Sequence, residues 1–232
     1  MREVSPGVFM LDRTWGCNVY LLAGRQTGLV DAGFPMDRRR IMKALDGGRP
    51  SAMIATHYHI DHVGTMARIK GMFGTRVSAH SLDAPVMEGT EPYEVYKLDP
   101  LRAAYYRVLA PLYRYEYVSV DRRLEDGDEV EVPLLGGLRV IHLPGHTRGS
   151  IALYQPERRM VFSGDTLRNE KGLLAGPPPQ FTPDIEESFR GIREKLLPLD
   201  FEILLPGHGE PLLGGAREAV AAMVESRERG GA

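Results

Sequence analysis

Residues 54–64 read IATHYHIDHVG, which places three of the chain's seven histidines and an aspartate between positions 57 and 62. In a helix, His57 and His59 would point to nearly opposite sides, because two residues turn the chain by about 200°. In an extended segment just leaving a strand, residues two apart share a face. The run SAMIAT (51–56) reads as that strand and delivers both imidazoles to one side. Asp61 and His62 fall where the chain turns into the next helical pattern, from which they can point back. Neutral imidazoles beside a carboxylate are the donors that a borderline divalent ion such as zinc takes.

One short loop cannot complete two coordination spheres, so further ligands are expected at other strand ends. LRVIHLPGH (138–146) ends in His146, RMVFSGD (159–165) in Asp165 and FEILLPGH (201–208) in His208. Each is an apolar strand followed by a glycine-containing turn and one ligand-type residue. Gly145, Gly164 and Gly207 permit tight turns directly before the ligands. Ligands carried on the ends of several strands make a rigid site.

At 232 residues, 43% hydrophobic and 26% charged, the chain is long enough for one substantial core and short for two equal domains. A single domain over 1–232 is expected. The net charge of −2 gives no general pull toward nucleic acid, and the basic runs DRRR (37–40) and RERGG (227–231) read as solvated helix faces and ends. MREVSPGVFMLD at the start has no basic segment leading into an apolar one, and no apolar run approaches the ~18 residues of a membrane span. The expectation is a cytoplasmic protein without membrane or nucleic-acid partners. Lone Cys17 forbids an intramolecular disulfide and excludes a thiolate-rich metal site.

Short apolar runs alternate with helical patterns, which argues for an α/β protein. VFML, NVYLLAG, GLVDAG, SAMIAT, RVSAH, LRVIHL, SIALY, RMVFSG and FEILL read as strands. MDRRRIMKAL, HVGTMARIKGMF, TPDIEESFRGIREKL and GAREAVAAMVES read as helices, the third entered through Thr182 or Asp184. NVYLLAGRQTGLVDAG (18–33) and SIALYQPERRMVFSGD (150–165) share a form: a strand, a polar turn, and a second strand ending in small residues and an acid. That pattern suggests two related halves, each contributing a sheet. Between them, residues 85–118 hold seven of the ten tyrosines and four prolines. Clustered tyrosines there suit a lid over a pocket, a homodimer interface, or packing against the main body.

The motifs THYHIDHVG, PGHTRGS, SGDT and PGHGEP resemble those of the metallo-β-lactamase superfamily in its glyoxalase II-like branch, and the resemblance spans nearly the whole chain. It implies an αββα sandwich around a dinuclear centre. His57, His59 and His146 would bind the first metal, Asp61, His62 and His208 the second, and Asp165 would bridge them. The resemblance also implies that Asp31, in LVDAG, supports the histidine loop, since a ligating imidazole needs its other N–H fixed. His80 and His142 match no ligand position.

Two divalent ions, with zinc as the first choice and manganese or iron(II) as the others, lower the pKa of a water bridging them until hydroxide is available near neutral pH. Hydrolysis is the expected reaction, with Asp61 orienting the hydroxide and passing a proton to the leaving group. Only a short tail follows His208, so the basic helical region that holds glutathione in glyoxalase II is not expected. The remaining reading is hydrolysis of a small-molecule ester, thioester or lactone, with Arg168 or Lys171 as cations for an anionic substrate. The same fold supports two alternatives: a mononuclear-iron persulfide dioxygenase, and phosphodiesterase or β-lactamase activity on the same centre.

Overall fold

The computed structural model describes residues 1–11, 13–24, 27–93, 104, 115–132 and 135–230. Two mixed sheets lie face to face. The first runs in spatial order β1 (Arg2–Ser5), β2 (Val8–Met10), β3 (Tyr20–Leu22), β4 (Thr27–Val30), β5 (Pro50–Ile54), β6 (Arg76–His80) and β7 (Arg122–Leu124). The second contains β8 (Glu129–Val132), β9 (Gly136–His142), β10 (Ile151–Gln155), β11 (Met160–Gly164) and β14 (Ile203–Pro206), ordered β14-β11-β10-β9-β8. A separate small hairpin pairs β12 (Arg168–Glu170) with β13 (Leu173–Ala175). Helices α1 (Arg38–Ala44), α2 (Ile60–Val63), α3 (Met66–Phe73) and α4 (Ala84–Glu88) belong to the first half, α5 (Ile185–Gly191) and α6 (Ala216–Gly230) to the second.

Period-two alternation sorts the apolar side chains into three buried layers. On β5, Met53 enters the layer shared with Ile41 of α1 and Ile69 of α3, while Ile54 enters the layer between the sheets. On β10, Ile151 and Leu153 face that middle layer, whereas Ala152 and Tyr154 face Phe189 of α5 and Val220 of α6. The product is the expected four-layer αββα sandwich. Tyr20 and Phe162 meet edge to face across the middle layer, their ring centroids 5.3 Å apart, and the Tyr20 hydroxyl donates to the Pro206 carbonyl at 2.8 Å.

The two repeated segments form equivalent units. β3–β4 and β10–β11 are antiparallel pairs, and each second strand then takes a parallel neighbour, β5 against β4 and β14 against β11. Short strands of charged sequence, β7 and β8, escape a reading based on apolar runs, as does the hairpin within the segment 167–184, which reads from sequence as a loop. The helix expected over 62–73 is instead two, broken at Gly64 and Thr65. The Pro35 ring lies 2.4 Å from where a Cβ on residue 64 would stand, and the Thr65 hydroxyl donates to the Ala32 carbonyl at 2.6 Å. Asp184, not Thr182, caps α5, its carboxylate accepting from the Glu187 N–H.

Phe162→Ala, at the centre of the middle layer, should cost about 3–5 kcal/mol in chemical denaturation. Leu173→Ala, on the exposed hairpin, should change stability by no more than ~0.5 kcal/mol.

Candidate metal centre

The seven residues singled out as ligands converge at one edge of the sandwich. β5 runs through Thr56 into His57; His59 stands at the N-cap of α2, and Asp61 and His62 lie within that helix. His146 comes from the β9–β10 connection, Asp165 follows β11, and His208 follows β14. Backbone bonds lace these ends together, across the two halves by Ile151 N–H to Thr56 C=O at 2.9 Å and Asn18 N–H to Gly207 C=O at 2.6 Å, and within the second sheet by Gly207 N–H to Gly164 C=O at 2.8 Å. Gly207 is needed for space: a Cβ there would stand 2.5 Å from Asp165 Oδ1 and 2.8 Å from the His62 ring.

The hydrogen-bond partners fix the imidazole tautomers. The Thr56 hydroxyl donates to Asp31 Oδ2 at 2.8 Å, so its lone pair faces His57 Nδ1 at 3.1 Å and accepts that N–H. The Thr182 hydroxyl donates to the Pro178 carbonyl at 2.7 Å and likewise accepts from His146 Nδ1 at 3.1 Å. His62 Nδ1 donates to Asp31 Oδ2 at 2.8 Å. In neutral rings, this leaves the Nε2 lone pairs of His57, His62 and His146 without protons. His57 Nε2 and His146 Nε2 face each other at 3.2 Å, with His59 Nδ1 3.0 Å from His57 Nε2. Lone pairs at that distance repel unless a cation lies among them.

A second set stands beside the first. His208 Nε2 lies 3.3 Å from Asp61 Oδ2, and the donor atoms of Asp61, His62 and His208 all fall within 4.8 Å of one another. Asp165 stands between the sets: its Oδ1 is 3.1 Å from His62 Nε2 and 3.4 Å from His208 Nε2, and its Oδ2 is 3.5 Å from His146 Nε2. His62 Nε2 and Asp165 Oδ1, which face each other, are buried and make no hydrogen bond. A buried atom of this kind carries a desolvation cost of about 1–3 kcal/mol unless something ligates it. The donor set therefore fits divalent cations on both sides of Asp165.

Electrostatics agree with that fit. Burial, reinforced by neighbouring imidazoles, pushes His57 and His59 well below the ordinary histidine range, and burial pushes His146 down to about 4. At His62, burial is outweighed by the neighbouring carboxylates, Asp31, Asp165 and Asp61, which drive its pKa up, so this position attracts positive charge. At Asp61, burial is outweighed by His62 and His208 and the carboxyl falls to about 2; Asp165 is held well below the carboxylate range against burial by His208 and His62. Burial pushes the Cys17 thiol up to about 12, so it supplies no thiolate nucleophile.

A family model described as the metallo-beta-lactamase superfamily matches residues 12–208. The chain belongs to this superfamily. By class it is a hydrolase. It is 33% identical over 206 residues to the "Probable metallo-hydrolase YflN" of Bacillus subtilis, covering 80% of this chain and 76% of that one. It is 32% identical over 232 residues to "Acyl-coenzyme A thioesterase MBLAC2" of Bos taurus, covering 86% and 80%. The crystal structure of TTHA1623 "in a di-iron-bound form" superposes with a TM-score of 0.63 at 31% identity, over 85% of this chain and 90% of the other.

Asp83 is the residue in this superfamily site that the sequence does not reveal. It sits just before α4, buried, and its Oδ2 accepts the Tyr58 N–H at 3.1 Å and the Thr147 hydroxyl at 2.8 Å, while Oδ1 accepts the Gly149 N–H at 2.7 Å. It ties the loop of His57 and His59 to the loop of His146. Burial pushes its carboxyl up to about 7, with Thr147 and the two backbone donors pulling against that shift. No sequence motif marks it, because its partners are mostly backbone N–H groups.

Asp31, with φ 57°, also accepts the Thr56 N–H at 2.8 Å, so it braces both Thr56 and His62. Arg168 is engaged within its own hairpin, donating to Gly176 C=O and Glu170; Lys171 occupies the exposed hairpin turn. His80 and His142 stack at 4.0 Å outside the ligand set, one from each sheet. Of the Tyr-rich segment, Tyr96, Tyr105, Tyr106 and Tyr113 lie outside the described residues. Tyr93 packs 5.3 Å from Tyr58 and 6.1 Å from His59, and the Tyr115 hydroxyl donates to Tyr58 C=O at 3.2 Å.

Asp83→Asn must place an NH2 group against an N–H or hydroxyl donor. It should weaken metal retention about 10–100-fold in chelator competition, a usual cost of disturbing groups behind a ligand. Thr147→Val, which removes one of the three bonds, should cost less, and His142→Ala should leave retention unchanged.

Proposed function

We propose that the chain hydrolyses thioesters of a small acyl carrier at a dinuclear centre, with zinc as the ion tested first and iron second. Facing Nε2 lone pairs on one side of Asp165, with an Asp61–His208 pair on the other, carry this reading. His57, His59 and His146 would hold one ion and Asp61, His62 and His208 the other, with one Asp165 oxygen toward each. When bound, such ions supply a Lewis acid for the substrate oxygen and an activated water.

The chain's own groups supply orientation. Asp61 is 28% exposed, the outermost carboxylate of the cluster, and is anionic at neutral pH. It orients the attacking water and hands a proton toward the leaving group. Asp31, Thr56 and Thr182 hold the rings so that each lone pair faces the centre. Support for a thioester over a lactone or phosphodiester comes from the acyl-coenzyme A thioesterases to which the chain is 31–32% identical. The described residues contain no helix long and apolar enough to cross a membrane.

Turnover of a panel of acyl thioesters, lactones, phosphodiesters and β-lactams by the zinc- and iron-loaded protein tests the reading. Thioesters should have the highest kcat/KM, and Asp61→Asn should lower kcat at least ~10²-fold. Preference for another class would remove the thioester assignment, and near wild-type turnover in the variant would remove the role given to Asp61.

A further inference from the structure

The run DRRR reads from sequence as a solvated helix face, and its arginines are exposed, two of them along the wall of a cavity. Arg38 and Arg39, at the start of α1, line a cavity of about 410 Å³ together with Arg68 of α3, Met36, Gly64 and Glu116. Arg68 is held by Glu116, to which its Nε donates at 3.0 Å and its Nη2 at 2.5 Å. The side chains of Arg38 and Arg39 make no ion pair or hydrogen bond to the described residues. Three guanidinium groups thus face one carboxylate, in a chain whose net charge is −2. Planar guanidinium groups match phosphate oxygens in geometry as well as charge.

The cavity adjoins the metal centre through short covalent and hydrogen-bonded connections. Gly64 follows Asp61 by three residues, one turn along the same chain segment. The turn that carries Met36 is tied to the loop over Asp61: Asp37 accepts the N–H groups of Trp15 at 2.8 Å and Gly16 at 3.1 Å, and the next N–H, of Cys17, donates to Asp61 C=O at 3.2 Å. Trp15 and Met36 are 69% and 45% exposed on these two joined segments. Apolar surface and a cationic cavity therefore lie alongside the cluster, on the side of Asp61.

We infer that this cavity binds the phosphate groups of the carrier portion of a coenzyme A-type thioester, with Trp15 and Met36 along the path of its flexible arm. The inference rests on the thioesterase reading and adds to it which carrier is used. A carrier of this kind holds its phosphates far from the thioester, so recognition away from the metals sets KM without touching the reacting atoms.

The experiment compares one acyl group on two carriers, coenzyme A and the truncated N-acetylcysteamine, in the metal-loaded wild type and in R38E/R39E. Both substitutions are on the exposed face of α1. The expected result is a rise of at least ~10-fold in KM for the coenzyme A ester, as loss of charge-assisted contacts predicts. KM for the cysteamine ester should move less than twofold, with metal content unchanged. An equal change for both esters, or none for either, overturns the inference. If the wild type hydrolyses neither ester, the thioesterase reading has failed. Calorimetric titration with coenzyme A then decides the cavity by itself: binding that R38E/R39E abolishes upholds it, and no binding, or binding that survives, overturns it. Desphospho-coenzyme A distinguishes the 3′-phosphate from the diphosphate.

Discussion

Two imidazole nitrogens, His57 Nε2 and His146 Nε2, face each other at 3.2 Å with their protons committed to the opposite sides of the rings. The rest of the structure depends on making that repulsive arrangement tolerable. Thr56, Thr182 and Asp31 set the tautomers, and Asp165 brings negative charge between the two ligand sets. His62 Nε2 and Asp165 Oδ1 add a buried pair 3.1 Å apart that makes no hydrogen bond. Cations held there would turn each of these contacts into an attraction and would couple folding to metal binding.

The two sheets divide the clustered histidines and carboxylates between them. His57, His59, Asp61 and His62 leave the first sheet, and His146, Asp165 and His208 leave the second. Neither half can complete a site alone, and the packing of the middle layer sets the distance between ligands. Bonds across the halves hold that distance at its open edge: Tyr20 to Pro206, Asn18 to Gly209 and Ile151 to Thr56. Asp83 adds a carboxylate that clamps the first loop of one half to the His146 loop of the other. The pairing of β3–β4 with β10–β11 as equivalent units gives this division its physical basis.

The clustered residues are legible in the sequence because they follow apolar strands, four in one loop after β5 and His146, Asp165 and His208 each directly after a glycine, a local pattern. The alternation on β5, β10 and β11 likewise places the layers. What is not legible depends on partners distant in the chain. Asp83 is an ordinary aspartate until Tyr58 and Gly149 are folded around it. The break at Gly64 comes from Pro35, twenty-nine positions earlier, and no helical periodicity registers it. The strands β7 and β8 are stabilised by their neighbours' hydrogen bonds and carry charged outward positions, so their apolar signal is weak. Arg38 and Arg39 are solvated as the sequence suggests, but the cavity beside them is not legible because Arg68 of α3 and Glu116 complete it.

The central claim is that both sides of Asp165 hold an ion. It is tested most directly by the number of ions bound per chain at saturation, measured by elemental analysis after apoprotein is titrated with zinc and dialysed. Two ions per wild-type chain, reduced to one or fewer in Asp165→Ala, is the result expected from a carboxylate that faces both sets. Saturation of the wild type at a single ion would contradict the dinuclear centre.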